Sequence, residues 1–270
     1  MWRVLRSLAR SLGLCVFVVG AAQAKPLVVT AVPNAARAHL RALYAPLVRY
    51  LAVTTGRPVR FHNPWSLNVL GYMVAHHRAD VLFGGPHIIA WAIKHAGYRP
   101  VLAGTGTLRF VVVSRARRMT LRSLRGALVC GLPPPNLATL ALFARFRGRV
   151  STPEMEPVSS PRAALAGVLA GRCVAAAVPA RLAQAALARR AVHVVVELGT
   201  YPDMAFAVSP RLNPMLRARI AQVLRARAAR AALAPLARAY HVPGWFSPPA
   251  SLYAGLSHLL HAYPGFSHHP

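Results

Sequence analysis

Residues 79–91 read Ala-Asp-Val-Leu-Phe-Gly-Gly-Pro-His-Ile-Ile-Ala-Trp. An apolar strand over 79–83 runs through Gly84, Gly85 and Pro86 directly into a helix. Such a turn leaves backbone N–H groups free at a helix N-terminus, where a small anion or polar group is held without a charged side chain. His87 stands at its mouth and is the first candidate for ligand contact, with Gly85 and Pro86 shaping the turn. The competing role for His87 is to cap its helix or fill a wall. In acid its imidazole is cationic and favours an anion. Residues 130–139 repeat the pattern as Cys-Gly-Leu-Pro-Pro-Pro-Asn-Leu-Ala-Thr. Pro at a first helical position is tolerated, and Asn136 fits an N-cap. Asn136 and Thr139 are therefore ligand candidates with a rival local role, since each can serve its own helix. Asn34 closes the first strand and points where clefts form. Trp65, after the second strand, and Tyr201, near a later crossing, offer rings for stacking, their alternative being core. Asp203 beside that crossing has the simpler role of pairing with an arginine.

Catalysis fits poorly. A hydrolase needs a nucleophile beside a base, and no Gly-x-Ser-x-Gly turn occurs. His76 and His77 are helix neighbours facing different ways, and no paired metal-ligand spacing recurs. The reading is a binding protein, not an enzyme, with no cofactor and no metal.

The elements that position these residues alternate. Strands are expected over 27–31, 59–62, 79–83 and 101–104, with helices over 38–55 and 66–77 and a third after Pro86. The 38–55 helix carries Leu40, Leu43, Tyr44, Leu47 and Leu51 on one face, and Gly56 ends it. At Leu108 the pattern changes to a long apolar strand, 109–114. A second alternation follows: strands 127–131, 155–159, 173–178 and 192–198, helices 136–147, 161–170 and 180–190. Residues 200–210 are irregular, then extended; the remainder is helical. This order predicts an α/β protein with two mainly parallel sheets flanked by helices. The lobes are expected over 25–108 plus 205–270 and over 109–204, with the ligand outside the strands' carboxyl ends.

Residues 1–24 read as an export leader: Arg3, Arg6 and Arg10, a short apolar run, then Ala22-Gln23-Ala24 as a cleavage site. The run is short for a membrane span. The expected product is a monomeric periplasmic protein starting at Lys25. Of 33 Lys and Arg in the whole chain, all but the three leader arginines remain, against 5 acids. Nucleic acid is not an expected partner, because the arginines are scattered along the chain rather than clustered with aromatics. Acid tolerance is the favoured reading: carboxylate ion pairs fail in acid, so a protein of an acid periplasm gains little from them. A basic surface for lipid or polyanion, through residues 216–230, is the alternative. Beyond the leader, Cys130 and Cys173 form either a disulfide or two small buried apolar side chains. Their predicted strand ends lie apart, whereas a bridge needs Cα atoms within about 7 Å.

Several stretches resemble the phosphate/phosphite/phosphonate solute-binding proteins of ABC transporters, which have a type II periplasmic-binding fold. They are Ala31-Val32-Pro33, residues 43–51 with Gly56-Arg57-Pro58-Val59, residues 80–86, residues 121–129 and residues 168–176, in family order across 27–220. The resemblance implies a cleft receptor that captures a small polar or anionic solute and passes it to an inner-membrane permease. A sensor of the same fold serving a membrane kinase is the alternative. The family's Ser-Thr-Ser after the second turn is replaced by Pro135-Asn136-Leu137, and Pro161 stands at a family histidine. The chain is similar to a branch with a Gly-Pro-His turn and a Pro-Pro-Asn-Leu-Ala-Thr-Leu turn.

Overall fold

The computed structural model describes residues 25–33, 35–146, 151–261, 263 and 265–267. The leader and Asn34 lie outside the described residues. In chain order the first elements are β1 (Leu27–Ala31), α1 (Arg37–Thr55), β2 (Val59–His62), α2 (Leu67–Ala75), β3 (Val81–Gly84), α3 (Pro86–Ala96) and β4 (Arg99–Gly104). There follow β5 (Thr107–Ser114), β6 (Leu128–Gly131), α4 (Leu137–Ala144), β7 (Glu154–Pro157), α5 (Pro161–Leu169), β8 (Ala175–Pro179), α6 (Ala180–Ala188) and β9 (His193–Pro202). The chain closes with β10 (Ala205–Val208), α7 (Pro214–Arg225), α8 (Ala229–Tyr240) and β11 (Trp245–Phe246).

Two sheets result, ordered β11-β4-β10-β3-β1-β2 and β7-β6-β8-β5-β9. Helix α1 buries Leu40, Tyr44, Leu47 and Leu51 on the first sheet and ends at Gly56 with φ 65°. Tyr44 stacks flat on Phe61 at 4.4 Å and meets Phe83 edge-on. Four such side chains along one helix face, each worth about 1.5–3 kcal/mol when fully buried, explain why α1 docks as it does.

Strand direction departs from the parallel expectation in a regular way. β1 runs parallel to β2 and β3, and β6 parallel to β7 and β8. β10 is antiparallel to β3 and β4, and β5 is antiparallel to β8 and β9. β5 and β10 are the strands that arrive from the other sheet. Each enters from the end where the parallel strands finish and so runs against them. Of the stretch read as irregular and then extended, residues 200–202 instead close β9, and the extended part is β10, a fully buried central strand. β11 was not anticipated; it pairs with Gly104 and Ala103 at the sheet edge.

Cys130 and Cys173 are joined in a disulfide, with Cα atoms 5.7 Å apart. The expected separation of strand ends does not apply. Cys173 precedes β8, and the turn before it folds back as the Arg172 and Cys173 N–H groups both donate to the Gly167 carbonyl. That brings Cys173 over β6, beneath α5.

The last described residues form two short 3₁₀ stretches, Ala250–Tyr253 and Leu256–Leu260, lying on α3. The Trp91 indole donates to the Phe266 carbonyl at 2.9 Å. Tyr253, Leu259, Leu260 and Phe266 share one apolar cluster with Ile88 and Trp91 of α3 and with Leu137 and Leu140 of α4. The two sheet bodies therefore meet through an apolar contact. Among the described residues no helix is long and apolar enough to cross a membrane, and no cluster of metal ligands occurs.

Candidate functional site

The first turn closes β3 and opens α3 with Gly85 as N-cap, no side-chain cap, and Pro86 in the first helical turn. Pro86 has no N–H, so the His87 and Ile88 amides are the uncapped donors. A Cβ on Gly85 would lie 3.0 Å from His87 Cε1 and 3.2 Å from its Nδ1, so glycine is what lets the imidazole lie over the turn. His87 is buried, at 5% exposure. Its Nε2 lies 3.0 Å from the carbonyl oxygen of Pro135 on the second turn. Burial holds the imidazole pKa down at about 4; the bond to Pro135 raises it, but by less. Nδ1 has no hydrogen-bond partner among the described residues.

The second turn runs from β6 into α4 and is largely self-satisfied. Asn136 Oδ1 accepts from the Ala138 N–H at 3.0 Å, capping α4. Thr139 is fully buried and donates its hydroxyl to the Leu132 carbonyl at 2.6 Å. Tyr263 donates to the Pro134 carbonyl at 3.3 Å, a further tie between the bodies. The two turns thus confront each other, but Asn136 and Thr139 spend their polar atoms at home.

The remaining candidates fall elsewhere. Tyr201 is half-buried, folds its hydroxyl onto the Leu198 carbonyl at 2.7 Å, and packs its ring near Phe110. Trp65 lies outside the core: it is 77% exposed, just before Ser66, the N-cap of α2. Asp203 forms no ion pair among the described residues, contrary to the simple expectation. It is buried where β9 passes to β10 and accepts the Met204 N–H at 2.7 Å. Burial pushes its pKa up; the Met204 amide and Arg181 oppose this less strongly. A Cβ on Gly104 or Gly106 would come within 2.8 or 2.6 Å of its carboxyl, so both glycines make room for it. Tyr253, which carried no sequence signal, is buried with a hydroxyl that has no partner among the described residues. Two surface hollows, of about 300 Å³ beside Arg57 and Arg211 and about 630 Å³ beside Arg227 and Trp245, are lined by neither turn.

A family model for the periplasmic substrate-binding protein of the ABC phosphonate transporter matches residues 29–251. The chain belongs to this family. As a phosphonate-type substrate-binding protein it has the expected α/β fold, seen also in solved structures. XAC2383 from Xanthomonas citri bound to ATP aligns with a TM-score of 0.68 at 15% identity, covering 86% of this chain and 97% of that one. PhnD1 from Prochlorococcus marinus, in complex with methylphosphonate, aligns at 0.64 and 12% identity, covering 87% and 97%. A binding-protein component of an ABC phosphonate transporter from Pseudomonas aeruginosa aligns at 0.60 and 10% identity, covering 87% and 85%. No curated protein matches the chain.

Proposed function

We propose that the protein captures a small phosphorus oxyanion of the phosphonate class between the turns at Gly85–His87 and Pro133–Asn136 and delivers it to an inner-membrane ABC permease. The working form would be a monomer in the periplasm, exported by cleavage after Ala24. The two mobile lobes would be residues 25–108 plus 205–270 and residues 109–204. The observation that carries the reading is the approach of His87 to Pro135 across the two bodies. It makes the first turn the natural place for a guest that both bodies grip. The uncapped His87 and Ile88 amides at the start of α3 supply donors to an oxyanion without a cationic side chain. Binding energy gained only when both turns touch the guest favours the closed arrangement.

A thermal-shift screen of the purified protein against phosphate, phosphite, methylphosphonate, sulfate, methanesulfonate and small organic acids tests the proposal. A solute at a hundred times its Kd stabilises by about 2.7 kcal/mol, so at least one phosphorus oxyanion should raise the melting temperature by several degrees. A screen in which none does so contradicts the proposal.

A further inference from the structure

The hydrogen-bond chemistry around His87 narrows the guest. A carbonyl oxygen only accepts, so the 3.0 Å contact with Pro135 fixes the ring proton on Nε2. The neutral ring then presents Nδ1 as a bare lone pair. That atom is buried and has no partner among the described residues. The groups beside it give no reason for a second proton: Gly85 lies against Nδ1, and the Met204 sulfur borders the same turn. The Tyr253 hydroxyl is a second buried polar atom without a partner among the described residues; its ring packs in the cluster that holds Ile88, and it can donate to an oxygen.

We infer that the solute held beside His87 must bring its own hydrogen-bond donor: a singly protonated oxyacid bearing an O–H, not a fully deprotonated dianion or a sulfonate. The inference rests on the proposed oxyanion capture and goes further by naming the protonation state and the residue that selects it. His87 Nδ1 accepts the solute's O–H, while the α3 amides and the Tyr253 hydroxyl donate to its other oxygens. A solute without an O–H sets an oxygen lone pair against the Nδ1 lone pair and leaves a buried acceptor unpaired. Burial keeps the ring neutral above about pH 4, so Nδ1 does not turn into a donor at ordinary pH.

Other titratable groups near this junction are Asp203, Tyr253 and Tyr263. Asp203 adjoins Met204, whose sulfur would lie 3.9 Å from a Cβ on Gly85. Burial, and after it the Asp203 charge, raises the Tyr253 phenol well above the ordinary value. Tyr263 bonds Pro134. A control solute whose own charge is constant separates these groups from the effect of the guest's proton.

Methylphosphonate and methanesulfonate form the decisive pair, matched in shape and, at pH 6, in charge; only the former carries an O–H there. Calorimetric titration of the purified protein with each, at pH 6 and pH 8.5, reads the inference. At pH 6 methylphosphonate is expected to bind about ten- to a hundredfold tighter, the cost of one unpaired buried acceptor. At pH 8.5, once it has lost that proton, most of the advantage over methanesulfonate should vanish. His87→Phe should erase the discrimination at pH 6. Equal binding of both solutes at pH 6, or a methylphosphonate advantage that grows at pH 8.5, overturns the inference while leaving oxyanion capture intact. If no oxyanion binds at all, the capture proposal fails and the inference falls with it.

Discussion

The two turns have the same plan and opposite polar economies. Each runs from a strand through a Gly- or Pro-bearing bend into a helix. In the second, Asn136 caps α4 and Thr139 ties down Leu132. In the first, α3 has no side-chain cap, and His87 reaches outward to Pro135 while its other nitrogen has no partner among the described residues. One turn is held together from within; the other has polar capacity to spare. Residue type alone does not separate structural polar groups from binding ones, because Asn, Thr and His can all do both. Where their hydrogen bonds go does separate them.

The largest test of the contrast breaks the support of the second turn. The disulfide closes a 43-residue separation just before that turn. Replacing both Cys130 and Cys173 by Ser should cost about 2–5 kcal/mol in urea unfolding, with reductant acting likewise on the native chain. Next comes the acid response of the first turn. The folded His87 takes its proton only near pH 4, the unfolded one near 6.5. Between these values the unfolded chain binds more protons, so stability falls as pH falls, by about 3 kcal/mol in all. Above pH 6.5 the contribution is absent. Asp203, with its pKa raised in the folded state, acts in the opposite sense and gains stability as pH falls. His87→Phe should flatten the loss between pH 6.5 and 4, as read by melting curves across that range. This term runs counter to the acid tolerance expected from scarce carboxylates.

Smaller effects sharpen the contrast. Thr139→Val and Asn136→Ala should each cost about 1 kcal/mol in stability. Solute affinity, measured by calorimetry, should change by less than about threefold, since their polar atoms are already engaged. The smallest effect belongs to Trp65→Ala. Its exposed ring lies outside the core, so urea unfolding should move by no more than about 0.5 kcal/mol.

Much of the scaffold was legible in the sequence because its signals are local. The run 27–31 is β1 to the residue, and four of the five apolar positions read on the first helix are buried in α1. Ser66 and Asn136 cap the helices they precede. What escaped is non-local. Nothing in Ala205-Phe206-Ala207-Val208 says which way the strand runs; its direction follows from the chain crossing back from the other sheet. Trp245-Phe246 is too short to show a period. The role of Tyr253 depends on residues 250–260 and Phe266 packing onto α3, a contact between distant parts of the chain. For the site, the sequence singled out His87, but only the carbonyl of Pro135 fixes which nitrogen of its ring is left over. Asn34 lies outside the described residues, so its candidacy stands where the sequence left it.

The most direct measurement is the nitrogen-15 spectrum of the His87 imidazole in the purified protein, with and without a solute that raises its melting temperature. The account expects a neutral ring protonated at Nε2, with the Nδ1 resonance moving on addition of methylphosphonate as that lone pair gains a partner. A ring protonated at Nδ1, or resonances that stay put while the solute stabilises the fold, would contradict it.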